Sequence, residues 1–115
     1  MPMLRSAALV LVALLFVGDG AGSARAACYE IIGCTSSDVY RERDLVRMSC
    51  EILDDVRNTI YAENSYCFRK LVNRRRFGRR HCRYANAGAV PLSSVERANA
   101  AAIQRAERTN RCPTD

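Results

Sequence analysis

Apolar residues recur at steps of three and four through the middle of the chain, a spacing that places them on one face of an α-helix. The stripe consists of Leu45, Met48, Ile52, Val56 and Ile60. Charged side chains fill most of the positions between them, so the pattern predicts a long amphipathic helix. Its N-terminal cap is expected at Ser37 or Asp38, and the pattern also allows two helices with a seam near Arg43. The helix is expected to end near residues 63–65, which favour caps and turns.

A second amphipathic pattern follows Pro91. Ser93 and Glu96 form a predicted capping box, in which each side chain accepts a hydrogen bond from the other residue's backbone N–H. The apolar face of this helix consists of Leu92, Val95, Ala98, Ala102, Ile103 and Ala106. The helix is expected to reach Thr109, because Pro113 cannot continue it.

Residues 66–88 follow neither period and are predicted to be irregular. The pattern therefore favours a mostly α fold class, a small domain with two main helices and an irregular basic connection between them. No internal repeat or low-complexity tract complicates this organisation.

The N-terminus has the three parts of a secretory signal peptide. A basic residue precedes an unbroken apolar run at residues 7–17, and residues 24–26 form an A-x-A-like cleavage site. The run is too short to cross a bilayer, which takes about 20 residues, and no later segment is long and apolar enough to span one. Residues 1–26 are therefore predicted to be removed, so that a secreted or periplasmic protein begins at Ala27. A lipoprotein acylated at Cys28 is the less favoured alternative.

Six cysteines follow the predicted cleavage site: Cys28, Cys34, Cys50, Cys67, Cys82 and Cys112. An even number of cysteines in a short exported chain predicts three disulfides. Ordering each residue costs about 1.5 kcal/mol, whereas closing a loop of about 15 residues returns roughly 3 kcal/mol. Fifteen pairings are possible, and the expected set is Cys28–Cys34, Cys67–Cys82 and Cys50–Cys112. No metal or other cofactor is expected, because no C-x-x-C pair occurs and His81 is the only histidine.

Two motifs give the chain a resemblance to a known family. The first is R-N-T-I-Y-A at residues 57–62, followed by Y-C-F at residues 66–68. The second is P-L-S-x-x-E-x-x-N-x-x-x-I-x-x-x-E at residues 91–107. With F-G at residues 77–78 between them, these motifs resemble the YARHG domain over most of the chain after the predicted signal peptide.

The resemblance implies an extracytoplasmic bacterial domain, in a subgroup of small exported proteins with six cysteines, and no established activity. Glu63, Asn64 and Ser65 stand where the Arg, His and Gly that name the family would be. If those family residues bind a ligand, this chain lacks the side chains that would contact it. The chain is expected to have three parts: a signal peptide at residues 1–26, an N-terminal cysteine loop and helix start at residues 27–44, and a YARHG-like domain at residues 45–112.

Residues 69–83, called the basic segment below, contain eight cations and no acid. They are Arg69, Lys70, Arg74, Arg75, Arg76, Arg79, Arg80 and Arg83. The rest of residues 27–115 has eight basic and eleven acidic residues, so the excess of positive charge is local. Such a field indicates an anionic partner, and arginine grips phosphate or carboxylate with paired hydrogen bonds. An envelope polymer, a lipid headgroup or nucleic acid would fit, and a merely solvated loop is the competing interpretation.

No catalytic site is predicted. His81 is not joined to a nucleophile motif such as G-x-S-x-G. Hydrolysis of a glycoside uses a pair of carboxylates, and the acidic residues of the first helix supply such groups: Glu51, Asp54 and Asp55. They lie on the polar face of that helix and are expected to be solvated, so no such pair is predicted.

Three polar residues of the resembled motifs lie at or near the apolar stripes: Asn58, Tyr61 and Asn99. They are predicted to be structural, bonding backbone groups where the two helices meet the irregular connection.

The leading hypothesis is a non-enzymatic envelope module that binds an anionic component through the basic segment. The alternatives are an enzyme or enzyme inhibitor acting on the cell wall, and a basic antimicrobial or toxin-like protein. A cleft with convergent polar groups would favour the enzyme, and a flat arginine-rich face would favour the binding module. An exposed apolar flank beside that face would favour a membrane-active protein.

Overall fold

A computed structural model describes residues 26–78 and 82–113. The predicted signal peptide up to residue 25, together with Arg79, Arg80 and His81, lies outside the described residues. The elements in chain order are β1 Cys28–Tyr29, β2 Gly33–Cys34, α1 Glu42–Leu45, α2 Cys50–Glu63, α3 Leu71–Phe77, a 3₁₀ turn Ala87–Ala89 and α4 Ser94–Thr109. The predicted mostly α fold class is confirmed. Within the described ranges, no helix has the length and apolarity that a membrane span requires.

The core lies where α1 and α2 pack against α4. Its fully buried aliphatic side chains are Leu45, Leu53, Val56, Ile60 and Ile103. The α4 side of this contact is formed largely by alanines, which are Ala100, Ala102 and Ala106. Because alanine is short, α4 approaches α2 closely without leaving a gap between them.

α2 begins later than the apolar stripe predicts. Its N-cap is Ser49, whose hydroxyl accepts a hydrogen bond from the Ile52 backbone N–H at 3.2 Å. The expected cap at Ser37 or Asp38 is therefore wrong. α1 is a separate short helix ahead of α2.

The side chain of Asn99 explains why the residues before α1 are not helical. Its amide group donates to the backbone carbonyls of Thr35 at 3.0 Å and Asp38 at 2.7 Å. Its Oδ1 accepts a hydrogen bond from the Tyr40 backbone N–H at 2.9 Å. Backbone groups bound to α4 in this way are not available to a helix. Residues 35–38 form a turn instead, and Arg41 before α1 is extended.

The predicted seam between two helices is present, a few residues beyond its expected position. Asn110 Nδ2 donates to the carbonyls of Val46 at 3.0 Å and Met48 at 3.2 Å, which satisfies the backbone at the break. Because the break separates α1 from α2, the face that α2 turns toward the core differs from the one that a continuous stripe predicts. As a result Leu53 is buried, whereas Ile52, which was predicted to face the core, is 50% exposed.

α4 begins and ends where the sequence predicts. The Ser93 hydroxyl accepts from the Glu96 N–H at 3.2 Å, and Glu96 Oε1 accepts from the Ser93 N–H at 2.9 Å, which completes the capping box. The helix ends at Thr109. Ala98 was predicted to face the core and is exposed, because α4 is turned so that Asn99 is fully buried against the N-terminal segment.

The three expected disulfides are confirmed: Cys28–Cys34, Cys50–Cys112 and Cys67–Cys82. Strands β1 and β2 are antiparallel and place Cys28 directly opposite Cys34. Cys50 is the first residue of α2, so its bridge fastens that helix to the tail that follows α4.

Part of the connection that was predicted to be irregular is helical. This part is α3, which contains no buried residue. The helix ends at Gly78, whose N–H donates to the Arg74 carbonyl at 2.9 Å and whose φ is +73°. Only glycine adopts that conformation at little cost, so Gly78 stops the helix. The arginines of the last turn favour α3 through the negative end of its dipole.

Candidate functional site

A cleft of about 310 Å³ opens between α2, the connection and α4. The α2 residues that line it recur at helical spacing and therefore share one face. They are Asp54, Arg57, Asn58 and Tyr61. The other lining residues are Tyr66, Phe68, Arg69, Lys70, Asn73, Ala87 and Gln104. The cleft thus brings polar residues of the first resembled motif next to the first two cations of the basic segment.

Arg57 is held in this cleft by two carboxylates. Its Nε donates to Glu107 Oε1 at 2.7 Å, and its Nη2 donates to Asp54 Oδ1 at 2.8 Å. Asp54 also accepts a hydrogen bond from Asn58 Nδ2 at 3.2 Å. The charges of Arg57 and Asp54 are therefore balanced within the protein, where they join α2 to α4. Asp54 was expected to be solvated and is instead ion-paired, although 43% of its side chain remains exposed.

A row of four aromatic rings connects α2 to α3. Tyr61 and Tyr66 meet edge to face at 5.8 Å, and Tyr66 and Phe68 meet edge to face at 4.8 Å. Phe68 then stacks on Phe77 at 4.9 Å. Edge-to-face and offset stacked rings attract each other beyond the burial of their surface. The row therefore positions α3, which has no buried residue of its own.

The cations of the basic segment divide into three groups in the structure. Arg69 and Lys70 are exposed and lie at the cleft. Arg75 and Arg83 are also exposed, away from the cleft lining. Across the described ranges, Arg69, Arg75 and Arg83 have no carboxylate at ion-pair distance.

The third group contacts the body of the protein with part of each side chain. Arg76 Nη2 forms an ion pair with Asp55 of α2. Arg74 is partly buried, and its Nε is buried without a hydrogen-bond partner among the described residues. The structure therefore does not present all the candidate cations on one surface, and Arg79 and Arg80 lie outside the residues that it describes.

The outer face of α3 contains two residues that sequence reasoning missed. Leu71 is 53% exposed and Val72 is 68% exposed. Leu71 with Arg75, and Val72 with Arg76, are i,i+4 pairs, so the four side chains share one side of the helix. The available signal was the adjacent apolar pair within an otherwise basic segment.

The three polar motif residues do not form one cluster. Asn58 and Tyr61 both line the cleft. Asn99 is fully buried elsewhere, where it holds the segment before α1 against α4. Its hydrogen bonds are structural in kind, as predicted for it, but they reach the N-terminal segment rather than the basic connection.

The two residues at the positions of the family's Arg and His both form hydrogen bonds to other segments of the protein. Glu63 Oε1 accepts a hydrogen bond from the Ala27 backbone nitrogen at 2.6 Å, and Oε2 accepts from Thr35 Oγ1 at 2.8 Å. Asn64 Nδ2 donates to Glu96 Oε2 at 2.6 Å. The positions that name the family thus tie α2 to the N-terminal segment and to the first turn of α4.

Ser65, at the position of the family's glycine, has a φ of +70°. Its carbonyl accepts from the backbone N–H groups of Arg83 at 2.7 Å and Tyr84 at 3.1 Å. The Cys67 N–H then donates to the Tyr84 carbonyl at 2.7 Å. These bonds close the base of the loop that carries α3, beside the Cys67–Cys82 bridge. The left-handed conformation of Ser65 is what allows the chain to turn into this closure.

Among the described residues, the pKa is clearly shifted for Tyr40 and Glu96, and neither residue lines the cleft. Burial acts to raise the pKa of Glu96, but hydrogen bonds from Asn64 and Ser93 outweigh it and hold that pKa below its ordinary value. Burial also raises the pKa of the Tyr40 hydroxyl. In the part of the chain that the structure describes, no group of three or more His, Cys, Asp or Glu residues is placed to hold a metal ion.

Comparison with known proteins yields one match. The family model described as the YARHG domain matches residues 28–108, from the β1–β2 hairpin to the last turn of α4. No curated protein and no solved structure matches the chain.

Proposed function

The chain belongs to the YARHG domain family, whose members are small extracellular-type domains of unknown function, and from this premise we propose an exported, non-enzymatic module of the cell envelope. The module binds an anionic envelope component through the basic segment. Three disulfides support the location, because such bridges persist in oxidising compartments.

The observation that carries the proposal is the concentration of exposed arginines without a carboxylate partner on one connection. Arg69, Arg75 and Arg83 are exposed and lack such a partner within the described ranges. On this connection Asp55 balances the charge of Arg76, and the three exposed arginines produce a local positive field that attracts polyanions.

The cleft supports binding better than acid–base chemistry. Among its described lining residues Asp54 is the single carboxylate, and it is occupied by Arg57 and Asn58. Hydrolysis of a glycoside by the usual route needs two carboxyl groups that flank the bond. Release of soluble fragments from purified cell wall by this protein would contradict the non-enzymatic proposal.

The binding proposal is tested with polyphosphate and duplex DNA as soluble polyanions over a range of salt concentrations. Affinity should fall with salt, with a slope of about −0.9 per phosphate neutralised on duplex DNA. The variant Arg69→Gln/Arg75→Gln should bind more weakly, and each lost arginine should reduce the slope by about 1. The matched control Arg47→Gln/Arg108→Gln removes two exposed arginines outside the basic segment and should bind like the wild type. Equal binding by both variants, or no binding by the wild type, would contradict the proposal.

A further inference from the structure

We propose that the basic segment docks on an anionic phospholipid surface through the outer face of α3, an inference that rests on the proposed function and specifies its partner. The face consists of Leu71, Val72, Arg75 and Arg76. Its two apolar side chains are more than half exposed, at 53% and 68%. These exposed apolar side chains lie beside cations, a combination typical of a helix face that binds a lipid interface.

Charge and apolar surface alternate on this face in a way that fits a lipid interface. Arg75 has no carboxylate partner among the described residues. Arg76 forms an ion pair with Asp55 of α2, while 59% of its side chain remains exposed. The guanidinium groups can contact lipid phosphates while Leu71 and Val72 enter the boundary between headgroups and acyl chains. A soluble polyanion offers phosphate or carboxylate but nothing for the apolar pair. The combination therefore favours an anionic bilayer surface over a glycan or a nucleic acid.

A second exposed apolar pair provides a matched control. Ile31 and Val39 are 75% and 71% exposed. They line a depression together with three carboxylates, Glu30, Asp38 and Asp44, and one cation, Arg41, so its charged lining residues are net negative. An anionic surface would be repelled there, so these residues should not contribute to docking even though they are more exposed than the α3 pair.

The test uses the oxidised protein recovered after export and vesicles that contain phosphatidylglycerol, compared with vesicles of phosphatidylcholine alone. Leu71→Gln/Val72→Gln should bind the anionic vesicles about tenfold more weakly than the wild type, because it loses the apolar contribution. Its binding to polyphosphate should be unchanged. Ile31→Gln/Val39→Gln should behave as the wild type with both probes.

The possible outcomes separate the two proposals. If Leu71→Gln/Val72→Gln binds the anionic vesicles as well as the wild type, the docking face is wrong. If the wild type binds polyphosphate or DNA and not the vesicles, the partner is a soluble polyanion and only the lipid proposal fails. If it binds none of the three, the proposed function fails as well. Far-UV circular dichroism and a thiol count verify that each variant is folded and oxidised.

A different observation carries a second inference. Ala27, the residue at which the exported chain is predicted to begin, places its backbone nitrogen 2.6 Å from Glu63 Oε1. Its carbonyl accepts a hydrogen bond from the Thr35 N–H at 2.9 Å, which holds the residue in place. We infer that cleavage before Ala27 converts an amide hydrogen bond into an ion pair between the new α-ammonium group and the Glu63 carboxylate. Charge-assisted hydrogen bonds are about twice as strong as neutral ones, so processing would stabilise the fold.

This inference is tested by comparing the form that begins at Ala27 with a form that retains the preceding residues. The first should melt about 5 °C higher, and the difference should disappear in Glu63→Gln. Glu51→Gln, which changes an exposed glutamate of α2, should retain the difference. A difference that persists in Glu63→Gln, or a mature N-terminus found at another residue, would overturn the inference.

Discussion

Arg76 Nη2 lies 2.6 Å from Asp55 Oδ1, so one arginine of the basic segment is bound to the helix beneath it. The guanidinium group of Arg76 also lies 5.6 Å from the centre of the Phe77 ring. The pair joins α3 to α2 beside the aromatic row. Arg76 is therefore partly a structural residue, unlike Arg75, its neighbour in the chain.

The first prediction follows from this difference. Arg76→Gln should lower the free energy of unfolding by up to about 1 kcal/mol, the range for a partly exposed ion pair. Arg75→Gln, which removes the same charge from the neighbouring position, should change it by less than about 0.5 kcal/mol. Urea denaturation measures both. A double-mutant cycle with Asp55→Asn should recover a coupling energy for Arg76 and none for Arg75.

The second prediction concerns Ser65, whose φ of +70° is costly for a residue with a Cβ. A left-handed conformation costs roughly 1–2 kcal/mol, while glycine loses about 0.5–1 kcal/mol through greater freedom in the unfolded chain. Ser65→Gly should therefore stabilise the protein by up to about 1 kcal/mol. Ser65→Ala should give no such gain, because alanine keeps the Cβ. Thermal denaturation distinguishes the two, and a destabilising Ser65→Gly would contradict the assignment of strain.

The third prediction concerns pH. Hydrogen bonds from Asn64 and Ser93 hold the pKa of Glu96 below its ordinary value despite burial. A carboxyl group whose folded-state pKa is lowered stabilises the protein above its unfolded pKa of about 4.3, and that contribution is lost as pH falls through the folded-state pKa. Wild type should therefore exceed Glu96→Gln in stability near neutral pH, and the two should converge in acid. A constant difference from neutral to acid pH would show that Glu96 acts by packing alone.

The fourth prediction concerns the Cys67–Cys82 bridge, which joins residues 15 apart in the chain. Opening a loop of that length should cost about 3 kcal/mol in the chain-entropy model. Cys67→Ser, Cys82→Ser and the double variant should be destabilised equally, because each loses the same bridge. Chemical denaturation with a thiol count measures this. Unequal single variants would mean that one cysteine contributes something besides the disulfide.

The fifth prediction concerns export. A fusion of residues 1–27 to a reporter that is active only outside the cytoplasm should be active, because the segment has the charge, apolar run and cleavage site of a signal peptide. Mass spectrometry of the full exported protein should place its N-terminus at Ala27. A matched fusion with Val12→Arg, which interrupts the apolar run, should be inactive. An active reporter in both fusions would show that the apolar run does not direct export.

Features determined by neighbouring residues were predictable from the sequence. The α4 capping box needs only Ser93 and Glu96, and its bounds were predicted correctly. The start of the helical region at α1 depends instead on Asn99, which binds backbone groups about sixty residues away in the chain. No local pattern contains that contact. The apolar stripe therefore predicted a helix through a segment that the hydrogen bonds to Asn99 keep non-helical. The wrong assignment of Ile52 has a different cause, the break between α1 and α2 at which Asn110 binds the Val46 and Met48 carbonyls.

The candidate site likewise combines features that the sequence shows with contacts between distant residues that it does not show. The concentration of cations in residues 69–83 is plain in the sequence, but the pairing of Arg76 depends on Asp55 of another helix. α3 was missed because none of its seven residues is fully buried and because an aromatic row whose members are separated in the chain positions it. The polar cleft also joins residues of α2, α3, the 3₁₀ turn and α4 with residues of the chain between α2 and α3. Because α3 has no fully buried face, no hydrophobic period in the sequence predicts it.

The Cys67–Cys82 bridge encloses α3 in a covalent ring, and no residue of α3 is buried. This arrangement gives two parts of the chain a different tolerance to substitution. A change of a large core side chain to alanine in α2 costs about 2–5 kcal/mol. A change on the outer face of α3 leaves that core intact, so the surface of this ring can be redesigned on an unchanged framework, much as antibody loops vary on a constant sandwich.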